Sequence, residues 1–447
     1  MLNYQRIINY DFSDKVLSKK LVIQFKIKNN ITESEFLSIF SDKRGERFVL
    51  KAPDSKDVIV GIGHEYTWFV DSAEFLQSYD NDSVISNFET LKNEATYIDI
   101  DEFPNDNFGI YGGVSNGGNA KSQEWSSFSD TMFIIPSILA VFKDEEIEFT
   151  LFLNLKSNDN FKEVWQNRIS FLEKLNQDFV NFRAPEIEKV RDIYPEVWQK
   201  NIRLALEEIK KETFKRIILT RKNQLVLKEN ISLASVVKYL MAKGRGFIAF
   251  EAGKSLFLSS IPLRSLTIQN NNLSAYLYLR QENLFSGRCE VSFQEDAVES
   301  NFKYLLEEKL NTNIEVSRDK TLVGDKNLDV YSVFNTTINN KAKDIKVLSL
   351  LYPMHLIKGY PKTQTENFLL NYENLIYGFW YSPVGFINKN LDVKFYTCGN
   401  MLVSFENIIT IYTSILLSSN VTYEEALERS GRVLEVALKL FEKREED

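Results

Sequence analysis

The sequence predicts an α+β fold built on large antiparallel sheets. Two observations carry that prediction. Strand-like and helix-like patterns are mixed along the chain without a regular βαβ alternation. The chain also has 447 residues, 44% of them hydrophobic and 13% aromatic, which is ample for a large core in one big or two medium domains.

Taken in order, residues 1–185 mix strands and helices. The segment RFVLKAPDSKDVIVGIG (47–63) has strand patterns on either side of a Pro-Asp turn signal. FGIYGGVSNGGNAKSQEW (108–125) is rich in Gly, Asn and Ser, so a loop is expected after Phe108. TMFIIPSILAVFKDEEIEFTLFLNL (131–155) reads as two strands joined at Lys143–Glu145, and DNFKEVWQNRISFLEKLNQDF (159–179) as one helix. The stretch 181–185 is the candidate boundary between the two halves, 1–185 and 186–447. Beyond it, Trp198, Ile202, Ala205, Leu206 and Ile209 share one face of a helix. Strands are expected at 216–227, 246–250, 255–259 and 273–279. Helices are expected over 296–312 and at the C-terminal end, with LDVKFYTCGN and IITIYTSILLS as strands between them.

The formal charge is −8 and the pI about 5.3, which argues against nucleic acid or an anionic membrane as the main partner. The two cysteines, Cys289 and Cys398, make no disulfide framework and fit a reducing cytosol, hence a cytoplasmic protein. The N-terminal stretch lacks the apolar core of a secretory signal, and no apolar run approaches the ~18 residues of a membrane span. With only two histidines, His64 and His355, zinc and Ser/His or Cys/His nucleophile chemistry have little material.

The order of landmarks carries a resemblance. A Trp-led helix enters KRIILTR; a Phe-rich pair runs GFIAFEAGKSLFLSSIPLRSL; then come LYPMHLIKGYP, YGFWYSPVGF, and a last strand followed by EEALERSGR. In that order and spacing the chain resembles the chorismate-utilising enzymes, and within them the isochorismate synthases, over about 190–440. The first half is also similar to the longer members through ERFVLKAPD and FGIYGGVSN. The resemblance implies the chorismate-enzyme fold as one large domain, 1–447, formed by both halves.

In that family a lysine opening K-V-V-L-x-R activates water, a glutamate in S-P-E protonates the leaving hydroxyl, and Mg²⁺ holds the ring carboxylate. The resemblance puts Arg216 at the lysine position and Leu263 at the glutamate position. Arginine keeps its proton at ordinary pH, and leucine has none to give. The family's carboxylate-binding arginine falls at Cys398, and the glycines of its G-A-G-I strand at Thr413, Ser414, Ile415 and Leu416. Gly359 ends the loop Tyr352–Gly359, and Arg432 stands at a carboxylate-binding lysine. The acidic pairs for Mg²⁺ fall on Asp296 with Glu299 and on Glu425 with Glu428; spacing of three puts each pair on one helix face. Tyr276, Tyr278, Leu279 and Leu416 are expected to refill the pocket.

The resemblance thus implies an isochorismate-synthase-like protein without the isomerase chemistry, a pseudoenzyme or the partner of an active paralogue, with a small chorismate-like carboxylate as its ligand class. The rival expectation is an active Mg²⁺-dependent isochorismate synthase of menaquinone biosynthesis that uses displaced residues, with Lys215, Lys358 and Glu251 as candidates. A third is an enzyme acting on another ligand in a remodelled cavity. On composition alone, Lys215, Arg216 and Arg221 read as a solvated strand end, and the acidic pairs as solvent-facing.

Overall fold

Strand-forming runs pair across the whole length of the chain. The structure, a computed structural model, describes residues 4–15, 17–70, 84–102, 107–115, 117, 119–175, 185–244, 246–283, 295–323, 327–341, 345–351, 358–373 and 375–438. The strands of the first half are β1 Lys20–Lys28, β2 Arg47–Lys51, β3 Val58–Val70, β4 Thr96–Asp99, β5 Gly109–Val114, β6 Thr131–Phe142 and β7 Glu146–Asn154. Those of the second are β8 Ile187–Asp192, β9 Arg216–Leu227, β10 Phe247–Ala252, β11 Ser255–Gln269, β12 Asn272–Asn283, β13 Glu315–Val323, β14 Asn327–Thr337, β15 Gly359–Tyr360, β16 Pro383–Asn388, β17 Val393–Phe405 and β18 Ile408–Ser418. Among the described residues they join in one 18-stranded sheet, and only β1–β4 is parallel.

The two halves share strands edge to edge. β2 pairs β10 with Phe48 opposite Phe250, and β5 pairs β16 with Tyr111 opposite Phe386. These two junctions close a circuit that runs β3–β6–β5–β16–β17–β11–β10–β2 and returns to β3. Its inside is filled by large side chains, among them Phe48, Tyr111, Trp125, Phe250, Phe257 and Trp380. Rings of this size bury much apolar area each and prefer edge-on contacts, as Phe48 and Phe250 show at 5.6 Å and 82°.

The glycine-rich stretch after Phe108 is not a loop from its first residue: Gly109–Val114 is a fully buried strand. A Cβ on Gly112 would stand 1.9 Å from the Met132 carbonyl oxygen, and one on Gly113 2.5 Å from that of Pro383. The glycines serve close backbone approach on both sides of β5, which composition alone reads as a loop signal. The helix expected over 159–179 is two short ones, Phe161–Ile169 and Phe171–Lys174. The remaining helices pack on the sheet. Helix Glu295–Leu310 lays Phe302 and Leu306 against Leu277 of β12 and Phe334 of β14. Helices Pro195–Lys210 and Tyr423–Leu438 cover one face of β9 and β18, where Trp198, Ile202 and Ala426 meet Ile217, Leu219 and Leu417.

A candidate functional site where two strand pairs part

β9 and β18 pair along their length, from Arg216↔Ser418 to Val226↔Ile408. β11 and β17 likewise pair from Ser255↔Phe405 to Ile268↔Val393. The ladder that joins β17 to β18 is short, from Met401↔Tyr412 to Phe405↔Ile408. Past Met401 and Tyr412 both strands continue but no longer pair with each other. β17 turns to β16 instead, with Pro383 opposite Thr397. The parting of the two pairs is the candidate site.

Period-two alternation decides what faces it. Ile217, Leu219, Ile415 and Leu417 are sealed under the helices. Arg216, Ile218, Ser414 and Leu416, on the other face, stay half-buried. On the far arm, Leu263 is 9% exposed and packs with Tyr331, Val333, Tyr276 and Tyr278. Beside it the Arg264 guanidinium lies 4.7 and 5.0 Å from the ring centroids of Tyr276 and Tyr331, with Nη2 donating to Asp319 Oδ2 at 2.6 Å. Leu279, expected in this cluster, belongs to the opposite face of β12, in the core with Leu277 and Phe334. The alternation that brings Tyr276 and Tyr278 to one side takes Leu279 to the other.

Tyr381 spans the parting. Its N–H donates to the Cys398 carbonyl at 2.7 Å, and its hydroxyl and Ser414 Oγ stand 3.3 Å apart. Cys398 is fully buried in the aromatic circuit, and burial pushes its thiol well up, so it is neither a cation nor a nucleophile. Desolvation lowers the Arg216 guanidinium to about 10, with Tyr360 opposing, so it is still charged at neutral pH and holds no free base.

Next to Arg216, the edge of β9 is discontinuous. β15 covers only Ile217 and Arg216, and β8 begins its pairing at Asn223. In the gap Glu373 accepts the Thr220 N–H at 3.0 Å through Oε2 and the Tyr377 hydroxyl at 2.6 Å through Oε1. Lys358, just before β15, places its ammonium 4.1 Å from the Tyr377 ring centroid. Desolvation lifts the Glu373 carboxyl to about 7 against those hydrogen bonds and the charge of Lys358. Desolvation also lowers the Lys358 ammonium, with Glu373 and Glu366 opposing. Ring contacts carry the cluster back to the parting: Tyr377 stacks on Trp380 at 5.3 Å, and Trp380 lies 4.1 Å from Tyr381. Sequence reasoning did not single out Glu373; the available signal was one carboxylate in the largely apolar and aromatic run 368–384.

The other expected residues are dispersed. Glu251 is 2% exposed and forms a two-pronged ion pair with Arg47 at 2.6 and 2.7 Å, which ties β10 to β2. Lys215 is exposed. Arg221 pairs with Asp192 and donates to Ser430 Oγ at 3.2 Å. Gly359 lies on β9 so closely that a Cβ would stand 2.7 Å from the Arg216 carbonyl oxygen, which gives this glycine a packing reason. Glu299 is held by Arg318 and Ser332. Glu425 closes a reciprocal cap with Thr422 at the start of its own helix, at 3.0 and 3.2 Å. Glu428 is exposed. Among the described residues no group of three or more His, Cys, Asp or Glu side chains is placed to hold a metal ion. The side chains of Asp296 and Arg432, and the whole of His355 and Cys289, lie outside the described residues.

Known proteins share this architecture. The structure of MenF, the menaquinone-specific isochorismate synthase from Escherichia coli, is similar with a TM-score of 0.70 at 12% identity, over 98% of each chain. A structure described as a 2,3-dihydroxybenzoate-specific isochorismate synthase, DhbC from Bacillus anthracis, is similar at 0.61 and 13%, over 91% of this chain and 99% of that one. Anthranilate synthase component I from Streptococcus pneumoniae TIGR4 is similar at 0.61 and 10%, over 88% and 94%. No curated protein matches the chain in sequence. Residues 11–276 do match the sequence profile of the chorismate binding enzymes, which is more than half of the chain, and with the shared fold this shows that the chain belongs to that family.

Proposed function

We propose that this protein is an isochorismate-synthase-like member of the family that has lost the isomerase chemistry and retains a cleft for a small carboxylate. The observation that carries the reading is Leu263. At the position where the resemblance calls for a proton donor stands a side chain packed among Tyr331, Val333, Tyr276 and Tyr278. Arg216, at the base position, keeps its proton at neutral pH. The engagement of Glu299 and Glu425 with other partners supports the same reading, since the charge that would hold a metal is used elsewhere. The reading covers two roles, a lone pseudoenzyme and a partner of an active paralogue. The test is a chorismate turnover assay with Mg²⁺ at micromolar enzyme. No isochorismate above background is expected, and turnover by the unmodified protein would sink the reading.

A second reading has one observation in its favour. Lys358 and Glu373 are two groups whose ordinary ranges are both moved toward neutrality, beside the strand that holds Arg216. Under it the chain is an active isochorismate synthase for menaquinone biosynthesis with a displaced acid and base. Turnover that disappears in both Lys358→Met and Glu373→Gln is its signature.

A further inference from the structure

We propose that Tyr381 is the gate of the parting. Its ring closes the cleft over Ser414 and opens it by side-chain rotation, so this one residue decides what reaches the cleft face of β9 and β18. The inference rests on the reading of the parting as a ligand cleft and names what controls entry to it.

The root of the gate is firm. Tyr381 has a φ of 51°, in the left-handed region that glycine enters freely and a residue with a Cβ enters at a cost. Among the described residues one other aromatic residue has a positive φ, Tyr194, and it is 74% exposed at the start of a helix. Tyr381 instead packs against the aromatic filling of the circuit. A glycine would make the same turn without penalty, so what the position supplies is the ring. The main chain is tied to β17 on both sides of that turn. The Tyr381 N–H donates to the Cys398 carbonyl at 2.7 Å, the Cys398 N–H donates to the Ser382 carbonyl at 3.1 Å, and Pro383 then pairs with Thr397.

The tip of the gate is held lightly. The Tyr381 hydroxyl and Ser414 Oγ stand 3.3 Å apart, beyond the ~2.7–2.8 Å usual for O–H···O bonds. Ser414 is itself half-buried, beside Leu416 on the same face. Tyr412, two residues before Ser414 and at the apex of the parting, shows the contrast. Its hydroxyl accepts from Trp125 Nε1 at 2.9 Å and has Glu124 Oε1 at 3.1 Å and the Ile376 carbonyl at 3.3 Å, and the residue is 1% exposed. Tyr412 is a wall, fixed from several sides. Tyr381 turns to another rotamer at the cost of one long hydrogen bond and part of its contact with the Trp380 ring, 4.1 Å away, and breaks none of the backbone bonds that root it.

The experiment reads how well Ser414 is covered. The full chain carries Ser414→Cys with Cys289→Ser, and N-ethylmaleimide is the probe; mass spectrometry separates labelling at position 414 from labelling of the fully buried Cys398. With Tyr381 in place, labelling should be slow, proportional to reagent, and unchanged by denaturant well below the unfolding transition, because local opening admits the reagent. Tyr381→Phe keeps the ring and should stay within a few-fold. Tyr381→Gly, folded by its melting curve, should label at least about tenfold faster, the open fraction no longer being limiting. If Tyr381→Gly does not fold, Tyr381→Leu, too short to reach Ser414, takes its place with the same expected direction. Equal rates with and without the ring would overturn the gate. So would labelling that follows global unfolding in denaturant, since Tyr381 would then be a wall. Chorismate turnover by the unmodified protein would break the non-catalytic reading and leave the labelling intact; equal labelling would break the gate and leave the absence of turnover intact.

Discussion

The two faces of the β9–β18 pair are made by the same strands and answer to different demands. One face, Ile217, Leu219, Ile415 and Leu417, is sealed by two helices into an aliphatic layer. The other, Arg216, Ile218, Ser414 and Leu416, is half-buried and chemically mixed. The sealed face is constrained by packing at every position. The open face is held more loosely, with Ile218 against the aromatic circuit and Ser414 beside the Tyr381 hydroxyl. The two faces thus let chemistry vary on one side while packing holds the sheet from the other.

The largest expected difference between the faces is in stability. Leu417→Ala should cost about 2–5 kcal/mol in denaturant unfolding, as large-to-small changes do in a closed core. Leu416→Ala, its neighbour on the open face, should cost well under half of that. Equal losses would show that the cleft face is packed as tightly as the helix face.

A second contrast is chemical. Arg216→Lys with Leu263→Glu restores a base and an acid at the family positions. Yet Cys398 and Ser414 still give the ring carboxylate no seat, and positioning is worth ~7–11 kcal/mol of barrier, more than either proton-transfer group. The double variant should show no chorismate turnover above background. It should also melt below the parent, because the introduced carboxyl would enter the Tyr331 and Val333 cluster. Robust turnover would mean that two residues alone separate this cleft from a working one.

The third test uses pH. Glu373 has its carboxyl raised from 4.5 to about 7, so the folded protein holds that proton more tightly than the unfolded chain. Its contribution is full below about 4.5 and is lost as pH rises through about 7. His64 works the other way: burial lowers it from 6.5 to about 4, so its contribution grows as pH rises over that interval. The two overlap, so the readout is a difference. From pH 5 to 8 the parent should lose stability relative to Glu373→Gln. A flat difference would place Glu373 in a solvated setting.

The smallest effect belongs to the last helix. Thr422→Ala removes the reciprocal cap with Glu425 and should cost about 1 kcal/mol. If Glu425 served Mg²⁺ instead, about 10 mM Mg²⁺ would raise the melting temperature of the parent; no shift is expected.

Much of the scaffold was legible. β9 runs over the span its pattern predicts, and the apolar face of the 195–210 helix is buried at Trp198, Ile202, Ala205 and Ile209. Both depend on local periodicity, which a sequence displays directly. β5 was misread because glycine signals freedom in isolation and close approach in a sheet, and only the neighbours decide which. At the site the resemblance names positions, and the structure puts Arg216 half-buried on β9 and Leu263 packed among aromatic rings on β11. Leu279 was misplaced for want of the face of β12 it occupies. Glu373 was missed because its importance lies in a gap between β15 and β8, a property of three distant segments that no window of sequence contains.

The closed circuit of strands has a consequence for how the chain is born. Synthesis proceeds from the N-terminus, so β2 and β5 emerge with open edges long before β10 and β16 exist: Phe48 waits for Phe250, and Tyr111 for Phe386. Until translation is nearly complete, the aromatic filling of the circuit has no lid. The nascent first half is therefore a sticky, unfinished sheet with two unpaired rims, a natural client for chaperones, and cutting the chain at its midpoint should yield two insoluble fragments rather than two domains.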